Sequence, residues 1–371
     1  MRRSVKEASR IVVKVGSSTL TYQNAKLNLG RIEKLIREVV DLRNSGKEVI
    51  LVSSGAVAAG QGELDLKDGP TTIPQKQALA AIGQGILMKT YQKIFSEYGH
   101  KAAQVLLTQK DLTDRKRYLN SRNTINQLLS YGVIPIINEN DTVAVEEIKF
   151  GDNDTLSSLV SSLIDADLLI ILSDIDGLYT ADPRKDKEAS LISQVEEISS
   201  DIEAIAGGAG SGLGTGGMLT KIEAAKIATK AGIPLIIANG SEDRVLTSIL
   251  SGEEDGTLFL PKKRLASREK WIAFNLGVEG KLLIDNGAAK ALSQGGSSLL
   301  PCGIIGVKGD FLAGAVVDVV DEESKLLARG LVNYSAKEIE DIKGLHTSEI
   351  EEKLGNQDYD EVIHRNNLVC L

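Results

Sequence analysis

The chain has 371 residues, 42% of them hydrophobic, and a formal net charge of −8 at pH 7. That length is comfortable for two domains, each able to bury a core. The negative balance disfavours nonspecific binding to nucleic acid or to an anionic membrane.

Cys302 and Cys370 are far apart and His100, His346 and His364 are scattered, so neither a disulfide framework nor a protein-held metal site is expected. The polar amino terminus has no signal-peptide pattern. No stretch offers the roughly 20 uninterrupted apolar residues needed to cross a bilayer. The expected compartment is the cytoplasm.

In chain order, short β-rich runs alternate with helical patterns. Strands are predicted over 11–15, 48–53, 103–107, 133–138, 167–173 and 233–239, and helical spacing appears in Leu35, Val39 and Leu42 and in Ile222, Ala225 and Ala228. This alternation predicts an α/β fold, a mainly parallel sheet sandwiched by helices. After Pro261 a polar connector, 261–273, leads to glycine-separated strands at 280–284, 303–308 and 314–320. They predict a small β-rich domain over 274–355 and a short tail, 356–371, following a first domain of 1–260.

In open α/β sheets ligands sit at the carboxyl ends of strands, and the unusual residues fall there. The first strand ends Val13-Lys14-Val15-Gly16-Ser17-Ser18. A lysine within an apolar strand is costly unless its ammonium meets an anion; the alternative is an edge-strand lysine reaching solvent. A second turn, Ser53-Ser54-Gly55-Ala56, follows the second strand, and the amides of Gly16 and Gly55 are expected to face one phosphoryl group from two sides. The fourth strand delivers Asn138-Glu139-Asn140-Asp141, and Gly151-Asp152-Asn153-Asp154 comes soon after, four acids and three amides in eight residues. Carboxylates near a phosphate pocket must bind a cation or position lysines; turn chemistry is the plainer alternative. Ser173-Asp174 ends the fifth strand, and Gly177-Leu178-Tyr179-Thr180-Ala181-Asp182-Pro183 continues from it, a loop suited to a nucleobase or ribose.

The stretch from Gly207 to Lys221 holds seven glycines, closes on a lysine and opens a helix. Glycine admits backbone N–H groups to an anion and the helix aims its positive end at the same place, which is phosphate chemistry; a flexible surface loop is the bland alternative. It is not a Walker loop, since Met218, Leu219 and Thr220 separate Gly217 from Lys221. Nor is it a dinucleotide fingerprint, because it lies far from the first strand.

Together these motifs resemble the amino acid kinase superfamily, and within it the members that phosphorylate glutamate and end in a PUA-like domain. The resemblance covers nearly the whole chain. It implies transfer of the γ-phosphoryl group of ATP, with Mg²⁺, to the side-chain carboxylate of L-glutamate, giving L-glutamyl 5-phosphate at the first step of proline biosynthesis. It implies that Lys14 and Lys221 neutralise the transferring phosphoryl and Asp154 holds them; that Ser54, Asp141 and Asn153 contact glutamate; and that Lys14, Ser173, Asp174 and the run Thr215, Gly216, Gly217, Met218, Leu219, Thr220 and Lys221 contact ATP. Ser173 stands where the family often has threonine, and Leu219 where a small polar residue is frequent. A homo-oligomer, proline as feedback inhibitor and handover of the acyl phosphate to a reductase are further implications.

PUA domains are best known as RNA-binding modules. Residues 271–355, however, carry eight Lys and Arg against thirteen Asp and Glu, a net of −5, which disfavours RNA. The rival readings are another acid or phosphate kinase of the superfamily, such as a carbamate, N-acetylglutamate or isopentenyl phosphate kinase, and an RNA-binding protein acting through the second domain. The acidic loop 138–141 suits a free ammonium and so favours glutamate.

Overall fold

Ile11, Val12, Val13 and Val15 are all fully buried, as expected of a strand covered by helices on both faces. They belong to β1 (Arg10–Val15) of a computed structural model that describes residues 2–143, 152–186, 188–208, 217–261, 278–293, 297–355 and 359–371. The chain divides into two units, Met1–Arg264 and Leu265–Leu371.

The first unit is built on β1, β2 (Glu48–Ser53), β3 (Ala102–Leu107), β4 (Ile134–Glu139), β5 (Leu168–Ser173), β6 (Gln194–Val195), β7 (Leu235–Asn239) and β8 (Thr257–Phe259), in the spatial order β3-β4-β2-β1-β5-β7-β8-β6. All neighbours are parallel except β7 and β8. Its helices are α1 (Arg3–Lys6), α2 (Ser17–Leu20), α3 (Leu29–Asn44), α4 (Ala56–Glu63), α5 (Ile73–Glu97), α6 (Gln109–Thr113), α7 (Arg115–Ser130), α8 (Asn153–Leu163), α9 (Ser200–Gly208), α10 (Met218–Lys230) and α11 (Val245–Ser251). The six predicted strands form, each within two residues of its expected ends. The two- and three-residue strands β6 and β8 carry no readable alternation and were not predicted.

Two local features set the geometry of the site end. A capping box starts α5, with Thr72 accepting from the Gln75 amide and Gln75 reaching back. Farther along, α5 crosses α4 through glycine: a methyl group on Gly83 would lie 1.8 Å from the Ala56 carbonyl oxygen, and one on Gly60 would lie 2.0 Å from that of Leu79. Only glycine permits backbones this close.

The second unit has a separate sheet in the order β10-β9-β11-β12-β13, from β9 (Gly280–Ile284), β10 (Ile304–Lys308), β11 (Val316–Val320), β12 (Leu326–Leu331) and β13 (Leu368–Cys370). The segment read from sequence as a tail supplies β13, which pairs antiparallel with β12; three residues are too few to announce a strand without their partner. The predicted connector beyond Pro261 lies outside the described residues. Among the described residues no helix is long and apolar enough to cross a membrane.

Candidate functional site

Lys14 does not reach solvent from an edge. Its strand β1 is paired on both sides, with Lys14 opposite Val52 of β2 and Ile171 of β5, and the residue is only 6% exposed. A buried ammonium needs a partner, and α8 supplies it. The Asp152 side chain caps this helix by accepting from the Thr155 amide at 2.8 Å, which places Asp154 in the first turn, where the helix dipole favours an anion.

Asp154 is fully buried and takes one lysine on each oxygen: Lys14 Nζ lies 2.6 Å from Oδ1 and Lys221 Nζ lies 3.2 Å from Oδ2. Thr220 Oγ1 donates to Oδ2 at 3.0 Å. Burial alone would push the Asp154 carboxyl up, but the two ammonium groups overcome it and hold the carboxyl below its ordinary range. Its neighbour Asp152 is pushed the other way, by burial first and by the charge of Asp154 second. Two lysines thus converge on one ionised carboxylate at the end of β1.

Lys221 and Thr220 come from the first turn of α10, whose N-terminal flank is Gly217. Helices α8 and α10 are held together by small residues, with the buried Ser158 Oγ donating to the Ala224 carbonyl at 2.8 Å. Met218 is half-buried and Leu219 is exposed, so the departure from the family pattern at Leu219 sits outside the packed face of the helix. Thr215 and Gly216 lie outside the described residues.

A second cluster adjoins the first. Asn153 Nδ2 donates to Ser54 Oγ at 2.9 Å, to Asn138 Oδ1 at 3.0 Å and to the Ser53 carbonyl at 3.3 Å. Asn138 Nδ2 in turn donates to Gln84 Oε1 of α5 at 2.9 Å. Sequence reasoning placed Ser54 and Asn153 here but missed Gln84, whose only signal was a Gly-Gln-Gly interruption inside a helix. Asp141 is half-buried on the turn that follows β4, where the Val143 amide donates to the Asn140 carbonyl. Gly151, from the second acidic motif, is outside the described residues.

Ser173 ends β5 with its hydroxyl on Asp174 Oδ1 at 3.1 Å, and its carbonyl accepts from the Gly240 amide at 2.7 Å. One expectation is corrected. The Gly16 amide donates to the Leu172 carbonyl at 3.2 Å, so it closes the β1–β5 seam and does not face a phosphoryl group. Gly55, at φ +95°, starts α4 in the left-handed conformation that glycine favours.

The arrangement is one of charge placement: Lys14 and Lys221 on one buried carboxylate, with amides and hydroxyls beside them, at the carboxyl ends of parallel strands. Among the described residues no histidine stands in it.

Comparisons with known proteins agree with this frame. The model of the amino acid kinase family matches residues 9–239, and that of the PUA domain matches residues 280–354. Glutamate 5-kinase of Thermoanaerobacter sp. (strain X514) is 60% identical over 363 residues, covering 98% of each chain. Glutamate 5-kinase of Moorella thermoacetica is 55% identical over 371 residues, covering 100% of this chain and 98% of the relative. Among solved structures, carbamate kinase from Giardia lamblia bound to AMP-PNP superposes with a TM-score of 0.50 at 18% identity, over 69% of this chain and 100% of that one; at that identity the likeness speaks for the fold alone.

Proposed function

The chain belongs to the glutamate 5-kinase family of amino acid kinases, and from that premise we propose how its residues divide the work. The reaction moves the γ-phosphoryl group of ATP to the side-chain carboxylate of L-glutamate, giving L-glutamyl 5-phosphate and ADP, the first step of proline biosynthesis. A carboxylate oxygen forms the new bond to phosphorus, and the bond to the β,γ-bridging oxygen breaks with its electrons going to ADP.

A glutamate side chain has an ordinary pKa of about 4.3 and is already an anion at neutral pH, so no general base is required. The obstacle is repulsion between an anionic acceptor and a triphosphate. In phosphoryl transfer positioning and charge neutralisation supply nearly all of the catalysis.

The observation that carries the reading is the buried Lys14–Asp154–Lys221 set. Asp154 fixes both ammonium groups, at 2.6 and 3.2 Å, so that they lie where the phosphoryl group passes. Ser54 and Asn153 hold the acceptor, Asp141 takes its α-ammonium, and Ser173, Asp174 and the run from Thr215 to Lys221 hold the nucleotide. Mg²⁺ would enter with ATP as the counter-ion of its phosphates. When bound, it adds neutralising charge at the phosphates.

The test is ADP release against a panel of acceptors. Glutamate should support turnover, whereas N-acetylglutamate, which lacks the ammonium and adds bulk, carbamate and isopentenyl phosphate should be very poor. Equal use of N-acetylglutamate would remove Asp141 from the assignment, and turnover with another acceptor alone would overturn the reading.

A further inference from the structure

Resting on that reading of the acceptor pocket, we infer that Gln84 is a positioning residue for glutamate, acting through Asn138 on Asn153 and Ser54. Two backbone groups here have no choice of role. The Ser53 carbonyl can only accept, so the Asn153 group that approaches it at 3.3 Å is its NH₂. The Glu139 amide can only donate, so the Asn138 atom that meets it at 2.9 Å is its carbonyl oxygen. With those ends fixed, Asn138 Oδ1 also accepts from Asn153, and Asn138 Nδ2 must find an acceptor elsewhere.

Asn138 is 3% exposed, so water is no ready substitute. Gln84 Oε1 provides the acceptor at 2.9 Å. It is delivered there by the glycine crossing of α5 on α4, since Gly83 sets the distance between the helices and Gln84 is the next residue.

The consequence is a pocket wall with a defined polarity. Both hydrogens of Asn153 Nδ2 are spent inward among three acceptors, which leaves its Oδ1 on the other side of the amide as an acceptor for an ammonium. Ser54 Oγ already accepts from Asn153, which leaves its proton to donate to a carboxylate. A free α-amino acid presents that pair of groups. Without Gln84 the buried Asn138 donor is unpaired, and the side chains that depend on its orientation lose their support.

Gln84→Leu and Gln84→Met both remove the acceptor while keeping side-chain length or bulk. Either variant should raise KM for glutamate about tenfold, the usual consequence of losing one such hydrogen bond, with kcat and KM for ATP within about twofold of the parent. The decisive measurement is a double-mutant cycle with Asn153→Ala: if Gln84 acts through Asn153, the Gln84 substitution should change KM by less than about twofold in the Asn153→Ala background. Additive effects, an unchanged glutamate KM, or an equal rise in KM for ATP would each overturn the role of Gln84. The parent protein, assayed alongside, separates the two claims: no glutamate-dependent ADP release sinks the functional reading, whereas normal release with an additive cycle sinks only the inference about Gln84.

Discussion

Asn153 and Asp154 are consecutive in the chain yet serve different halves of the site. Asn153 turns its amide to Ser54 and Asn138, while Asp154 turns its carboxylate to Lys14 and Lys221. One helical turn thus ties the amide cluster at Ser54 and Asn138 to the two buried lysines, and a shift of α8 would disturb both together.

Asp154→Asn should therefore cost more than activity. It removes the carboxylate charge that both buried ammonium groups share, and breaking a buried pair in this way typically costs about 3–5 kcal/mol. Because the carboxyl is held below its ordinary value of 3.8, its stabilisation is present above that value and disappears as pH falls through the lowered one. Thermal unfolding of the variant should show a lower first transition, and added ATP or inorganic phosphate should recover part of it. An unchanged transition would mean that the lysines have another partner.

On the proposed assignment, Lys221→Ala should lower kcat far more than it raises KM for glutamate, since its charge would matter most while negative charge redistributes in the transition state. Removing one such contact typically costs about 10²–10³ in rate. Near-normal kcat in steady-state assays would take Lys221 out of the chemistry.

Two glycines two residues apart should respond in opposite ways. Gly83→Ala drives a methyl group to within 1.8 Å of the Ala56 carbonyl oxygen, and overpacking of this kind usually costs about 1–3 kcal/mol or more. Gly85 has nothing within 4 Å of the added carbon, so Gly85→Ala should stabilise α5 by roughly 0.5–1 kcal/mol. Melting temperatures of the pair decide it, and a tolerated Gly83→Ala would show that the helices can separate.

Glu38 should make stability fall with rising pH. On α3 it accepts from the Thr247 amide at 3.0 Å in the first turn of α11, and burial raises its carboxyl above the ordinary value of 4.5 in spite of that bond. A carboxyl raised on folding contributes stability fully below its unfolded value and loses it as pH rises through the folded one. Glu38→Gln keeps an acceptor oxygen without the charge, so it should flatten the decline in melting temperature above pH 4.5 and be no less stable than the parent near neutrality. Parallel pH profiles for parent and variant would exclude Glu38 as the source.

Six strands of the first sheet were legible along the chain because each is a short apolar run closed by a turn signal, and that pattern needs no partner to be seen. The residue types of phosphate chemistry were legible too, since a lysine inside an apolar strand and a glycine run before a lysine are costly or rare without an anion. Pairing was not. That Lys14 lies in the middle of the sheet and that the Gly16 amide is spent on Leu172 depend on which strands and helices become neighbours, over sequence separations that no local period encodes; that Asp154 takes both lysines was implied only by the family resemblance. Gln84 shows the limit most clearly: on its helix it is one polar residue among several, and it acquires meaning only where two glycine backbones meet and carry it to Asn138.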